Sequence, residues 1–455
     1  MSNAKRWGAS IAAALVLAAR GAAAQGPGAP CDLRFPNTPE TRLTLVEIAA
    51  GQRNTYFGGG VAAECIGQNL TLRSDSAEYY ADRGVLYLIG NVQYREPRAS
   101  VDATRMTYYR SEERVFAEGN VVASMPNGST MRGPNADYYR QTPRRPRARL
   151  VATGRPHLVV IDPDTSPRAD RRPADIDADR IVMEGDSLVF AGGRVVLARP
   201  DLLARGDSAV VDGGQEWARL MRSPTIEGRG DRPFTMRGQV IDVYSQGRQL
   251  RRVLSKASAR VDSRDLALTA DTIDLRLEQQ QLERAYAWGQ GRARATSPQQ
   301  DIEADSIDAY LPQQRLREVR ALRNAYAHGL PDTLKVRTTG RDWLRGDTII
   351  ARFDSLSPPT TGDTSRRPVI RELVAIGSAR SFYHIPTDGR PGAPAINYVR
   401  GRQIAVSFAN QQVQQVRVTD QASGVYAEPA ADTSARAAPP ARATRPPTAR
   451  PGVRP

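Results

Sequence analysis

One pattern recurs ten times in this chain and leaves few folds open to it. In Ile302-Glu303-Ala304-Asp305-Ser306-Ile307-Asp308-Ala309, alternation places Ile302 and Ala304 on one face of a strand. Ile307 and Ala309 then continue the alternation at the opposite parity. A slip of one residue exchanges the faces of everything downstream unless the strand bends or bulges there. The pattern therefore predicts a strand that turns a corner at Asp305 and keeps its apolar side inward.

The corner falls at Asp75, Thr104, Pro134, Asp179, Asp207, Gln239, Asp271, Asp305, Asp347 and Arg402. Three residues before each stands an apolar residue, and immediately before it stands Ser, Ala or Gly. Two residues after it the apolar face resumes, from Ala77 and Met106 through to Ile404. A small residue belongs on the inner side of a sharp bend because a larger one would clash across it. Each unit carries a second strand, clearest in 85–92, 115–121 and 189–195, and the period is about 30 residues. Helical periodicity is absent outside the N-terminus. The fold class predicted is all-β, an elongated two-sheet jellyroll or solenoid-like roll of about ten two-strand repeats.

The ends predict a compartment. Lys5 and Arg6, the apolar stretch Ile11 to Ala19, and Ala22-Ala23-Ala24 read as a cleavable export signal over 1–24. Residues 25–52 read as a leader and 53–426 as the roll, with a break near 141–175 dividing it into two tandem modules. Residues 427–455 are Pro, Ala and Arg with almost nothing large and apolar, a composition that predicts disorder. Pro- and Arg-rich insertions at 141–174, Ser357 to Pro368 and Pro386 to Ala395 read as loops. The expected location is the periplasm, with contact to the outer membrane. Cys31 and Cys65 are an even pair in an oxidising compartment, which predicts a disulfide contributing about 3 kcal/mol. All but three of the 64 basic residues are Arg, and the formal net charge is +15, which suits an anionic partner.

Chemistry has little to work with. The three histidines, His157, His328 and His384, are scattered and read as surface residues, and neither a nucleophile elbow nor a phosphate loop is present. Asp175, Asp177, Asp179 and Asp186 have the span of a calcium loop, but Arg180 stands where that loop needs Gly. Alternating Asp on the wet face of a strand accounts for them better. The corner acids Asp75, Asp179, Asp207, Asp271, Asp305 and Asp347, several followed by Ser or Thr, suit a local turn bond rather than catalysis. These readings predict a protein that is no enzyme and takes no cofactor, metal or nucleic acid.

The stretch Leu72-Arg73-Ser74-Asp75-Ser76-Ala77-Glu78-Tyr79-Tyr80, with Gly119-Asn120-Val121 after it, resembles the OstA-like fold of lipopolysaccharide transport. Weaker copies extend the likeness to about Tyr426. The chain has more repeats than the short periplasmic bridge protein of that family, and it lacks the C-terminal barrel of the outer-membrane translocon. The resemblance implies a carrier of lipopolysaccharide or another envelope glycolipid, with acyl chains in an apolar slot between two sheets. Candidate slot residues are Leu72, Leu86, Val101, Met106, Phe116, Val121, Ile181, Phe190, Val195, Ile241, Leu268, Ile273, Ile302, Ile307 and Ile349. It also implies pairing with other OstA-like proteins, and head-to-tail self-association, through open edges at Tyr56 to Cys65 and Val413 to Tyr426. The reading from a different class is a structural β-solenoid, a spacer or adhesin of the envelope without cargo.

Overall fold

A computed structural model describes residues 31–429, except 37–38, 50–51, 162–172, 230–232, 248, 265, 298–299, 332–335, 355–367, 387–392 and 410–411. The export signal, nearly all of the C-terminal tail and most of the second and third insertions lie outside the described residues. What is described is all-β: thirty strands and one short 3-10 turn at Pro312–Gln314. The chain divides into two units, one of residues 1–231 and 237–253, the other of 232–236 and 254–455.

In the first unit the strands pair antiparallel in chain order and each long strand is folded at its middle into two layers. One layer is built from Leu33–Arg34, Val61–Cys65 and Leu70–Ser74, then residues 92–96, 99–103, 121–124 and 130–133. The other runs from Arg42–Ala49 through Gln52–Gly58 and Ser76–Tyr80 to residues 85–89, 105–109, 114–118 and 135–139. The second unit repeats the arrangement with residues 267–269, 294–296, 300–303 and 325–329 in one layer. Residues 272–278, 281–288, 306–310 and 318–322 form its other layer.

The seam between the layers is the predicted corner, and it has two halves. Where Thr104 turns one strand, the pairing jumps from Ile89↔Arg105 to Val92↔Ala103, so one corner residue faces both Gly90 and Asn91. Asp207 faces Gly193 and Arg194 in the same way, and Asp347 faces Arg323 and Asn324. The opposed pair is left-handed at both residues: Gly90 (φ 78) with Asn91 (φ 44), Gly193 (φ 77) with Arg194 (φ 47), Gly377 (φ 79) with Ser378 (φ 48). Such a two-against-one bulge bends the sheet and raises its twist. The bends keep the inward face apolar: Val101 and Met106 on one strand, Leu86 and Val92 on its neighbour, are all buried.

Two expectations about the chain's anatomy need correction. The insertion at 141–174 is not all loop, since Arg149–Thr153 and His157–Val160 both pair with Thr130–Tyr139 and supply the second strand of a repeat. Tyr56 to Cys65 is not an edge, because Gln52–Gly58 and Val61–Cys65 each have a strand on both sides. The segment read as a leader supplies the outermost strands instead, Leu33–Arg34 in one layer and Arg42–Ala49 in the other. At the far end Gln412–Thr419 and Ser423–Ala427 each pair with Ala395–Ala409, as expected of closing strands.

Candidate functional site

The inward face is where the candidate lipid residues converge. Leu72, Leu86, Val101, Met106, Val121, Ile181, Val195, Ile241, Leu268, Ile273, Ile302, Ile307 and Ile349 are all between 0 and 3% exposed. Ala and Gly are interleaved with them, as at Ala103, Ala209 and Ala304. Phe116 and Phe190 do not belong there. Val115 and Ala117 point inward, so Phe116 lies half-buried on the outer face, and Phe190, between inward Val189 and Ala191, is 37% exposed. Strict alternation put the smaller neighbours inside.

Opposite the seam the layers end in hairpin turns, and in the first unit a polar cluster joins them across this mouth. Tyr94 from one layer and Tyr138 from the other meet edge-on at 5.8 Å. Tyr138 donates its hydroxyl proton to Glu96 Oε1 in a very short hydrogen bond. Arg140 Nε donates to Glu96 Oε2 (2.8 Å), while its Nη1 donates to Glu113 Oε2 (2.7 Å) and Gln68 Oε1 (2.9 Å). Tyr108 donates to Glu113 Oε2 at 3.1 Å. The Tyr94 hydroxyl is buried with no hydrogen-bond partner, and burial pushes its pKa well above the ordinary tyrosine value. Burial likewise raises Tyr108 and Tyr138. Beside this cluster opens a pocket of about 590 Å³ walled by the turns at Gly67 to Asn69, Glu96 to Arg98 and Arg140 to Pro146.

Cys31 and Cys65 are free, buried thiols, so the expected disulfide is not formed. Backbone does its work. Leu33 and Arg34 pair with Cys65 and Glu64, Cys31 N–H donates to Glu113 Oε1 at 2.7 Å, and Arg110 Nε donates to the Cys31 carbonyl at 2.6 Å. Phe35 then stacks on Phe57 (4.6 Å) and touches Tyr79 (5.5 Å), both in the opposite layer. Residues 31–35 thus strap the first unit's two layers together. Burial pushes the Cys31 thiol pKa up, reinforced by a hydrogen bond with Cys65.

Among the described residues the corner acids make none of the expected local turn bonds; all but Asp347 instead reach across by hydrogen bonds to an opposed bulge. Asn91 Nδ2 donates to Asp75 Oδ2 (2.9 Å), Arg194 holds Asp179 through both Nε and Nη2, and Arg222 holds Asp207 (2.9 Å). The Gly291 N–H donates to Asp271 (2.8 Å), and Asn324 donates to Asp305 (3.3 Å). The hydrogen bond from Arg194 keeps Asp179 below the usual carboxylate range. Asp175 and Asp177 lie on the strand Ala174–Asp177 near His157, and among the described residues no cluster of three metal-ligating side chains exists.

Of the histidines only His157 is a surface residue. His384 is nearly buried, with Nδ1 2.8 Å from Asp342 Oδ1, whose carboxyl burial pushes up. His328 is also mostly covered, beside Asp301 and Arg341.

No known family model matches this chain, and no curated protein matches it in sequence.

Proposed function

We propose that the chain is a lipid-binding bridge of the cell envelope. It holds the acyl chains of lipopolysaccharide or a related glycolipid between its two layers and carries out no chemical turnover. The observation behind this reading is the asymmetry of the fold within each unit. An apolar interior is closed by continuous backbone along the seam, and on the opposite side by hairpin ends and side chains, with the 31–35 strap added at the start of the first unit. The layers can therefore part at the mouth while the seam acts as a hinge. Each CH₂ group taken from water would stabilise the bound chain by about 0.8 kcal/mol. Arg98, at the rim of the 590 Å³ pocket beside the mouth, would take a headgroup phosphate. The outermost strands Arg42–Ala49 and Gln412–Thr419 would meet OstA-like partners or another copy by edge pairing.

A photo-crosslinking residue at Met106 or Ile273, in chain purified from an envelope that makes lipopolysaccharide, tests the proposal. Phe116 and Phe190 serve as outward controls. Lipid adducts at the inner sites alone are expected. Absence of inner adducts from protein with a native far-UV spectrum would sink the bridge. It would favour the second reading, a structural spacer, for which the near-zero exposure of the inward residues speaks.

A further inference from the structure

The outer face of one layer of the second unit carries a row of arginines to which the fold supplies no carboxylate partner. Arg345, Arg380 and Arg400 lie directly opposite one another on three neighbouring strands, Asp342–Asp354, Val369–Ile385 and Ala395–Ala409. Like charges facing each other across strands are destabilising. All three are exposed, and among the described residues none is paired with a carboxylate. Arg400 donates to Ser423 Oγ at 2.6 Å, and Arg345 lies 5.3 Å over the Tyr326 ring. The nearest acids on the same face, Asp301 and Glu303, are already occupied by Arg294, Arg292 and Arg341.

Two residues along each strand, and so on the same face, stands a second row: Trp343, Phe382 and Tyr398. Trp343 and Phe382 are 6.0 Å apart with planes at 11°, and Trp343 lies 6.3 Å from Tyr398 and 6.4 Å from Tyr326. These rings are half-buried and packed on one another. They form a packed aromatic bed alongside the arginines.

We infer that this face binds an acidic polysaccharide, its carboxylates on the Arg345–Arg380–Arg400 row and its sugar rings along the Trp343–Phe382–Tyr398 bed. Neighbouring strands are about 4.8 Å apart, so the row offers a guanidinium fork at each such step to a polymer lying across the strands. Sugars present apolar C–H surface to a bed of this kind. Single-stranded nucleic acid wants open ring faces on which bases stack, and here the rings cover each other. A bilayer wants protruding apolar side chains, and these are sunk. The site is independent of the interior and of any lipid there.

Binding of the full chain to immobilised polygalacturonate is the test, with dextran, a single-stranded oligonucleotide and phosphatidylglycerol vesicles as alternatives. Polygalacturonate should be retained and dextran not. Each of Arg345→Ser, Arg380→Ser and Arg400→Ser should weaken binding roughly 5- to 10-fold. The triple variant should abolish it while leaving the thermal midpoint unchanged or raised, since it relieves facing like charges. Trp343→Ala should weaken binding as well. No binding, binding that survives the triple substitution, or stronger retention on oligonucleotide or vesicles would each overturn the assignment.

Discussion

Gly193 sits so close to Asp179 that a Cβ added to it would lie 2.4 Å from the carboxylate Oδ2. The contact repeats at the Asp75–Gly90, Asp271–Gly289 and Asp347–Gly377 pairs, at 2.2 to 2.3 Å. Gly90, Gly193 and Gly377 are thus fixed twice, by a left-handed backbone and by the acid that fills the place of the side chain. Gly193→Ala should destabilise the first unit by about 2 to 3 kcal/mol, combining the left-handed penalty with overpacking. Ala257 holds the same conformation (φ 58) without a glycine, so Ala257→Gly should stabilise by about 0.5 to 1 kcal/mol. Urea denaturation of both variants checks the pair of signs.

Arg140 and its two acids are nearly enclosed, with side-chain exposures of 12%, 6% for Glu96 and 7% for Glu113. Removing one partner of such a cluster strands the others. Arg140→Met should cost about 3 to 5 kcal/mol. A triple replacement that also removes Glu96 and Glu113 in favour of apolar residues should recover much of it. A double-mutant cycle by chemical denaturation separates these outcomes.

The pH dependence of the second unit should carry the mark of His328. Arg341 Nη1 lies 2.9 Å from its Nδ1 and can only donate, so that nitrogen must accept and stay unprotonated. Burial lowers the pKa below 6.5; Asp301 opposes the shift and Arg341 adds to it. A base whose folded pKa is depressed contributes stability above its unfolded pKa and loses it as pH falls. The denaturation midpoint should therefore drop as pH falls below about 6.5, and His328→Asn should flatten that slope.

Both thiols should be inert in the native chain, because burial raises the pKa of Cys31 and of Cys65 and suppresses thiolate. Iodoacetamide near pH 8, read by mass spectrometry, should label neither cysteine until denaturant is added. Rapid native labelling would mean that the strap at residues 31–35 opens freely.

Leu43 and Leu45, on the outermost strand of their layer, are 50% and 55% exposed. Concentration-dependent association of the full chain in sedimentation velocity is expected. The Leu43→Lys, Leu45→Lys double variant should shift it towards monomer.

The fold was legible because a parity slip is a counting fact: the small residue before each corner and the apolar residue two after it could be read directly. Phe116 and Phe190 went wrong where the chain reads Val-Phe-Ala. Three consecutive apolar residues hide the parity, and bulk suggested the wrong member. The acids' partners were hidden because Asp179 and Arg194 are far apart in sequence and meet only once the register is set. The arginine row was hidden for a related reason. Each strand contributes one Arg, and only cross-strand register lines them up.

The one-against-two pairing at the seam has a consequence for how such a chain can change its length. Every repeat leaves the ladder in the same layer, direction and register in which the preceding repeat left it. Residues 300–341 could be cut out and Gln299 joined to Asp342, which takes the register of Gln300, with no remaining strand obliged to flip a face. The second unit is built of interchangeable segments, and a chain shortened by that one should still fold with its far-UV β spectrum intact.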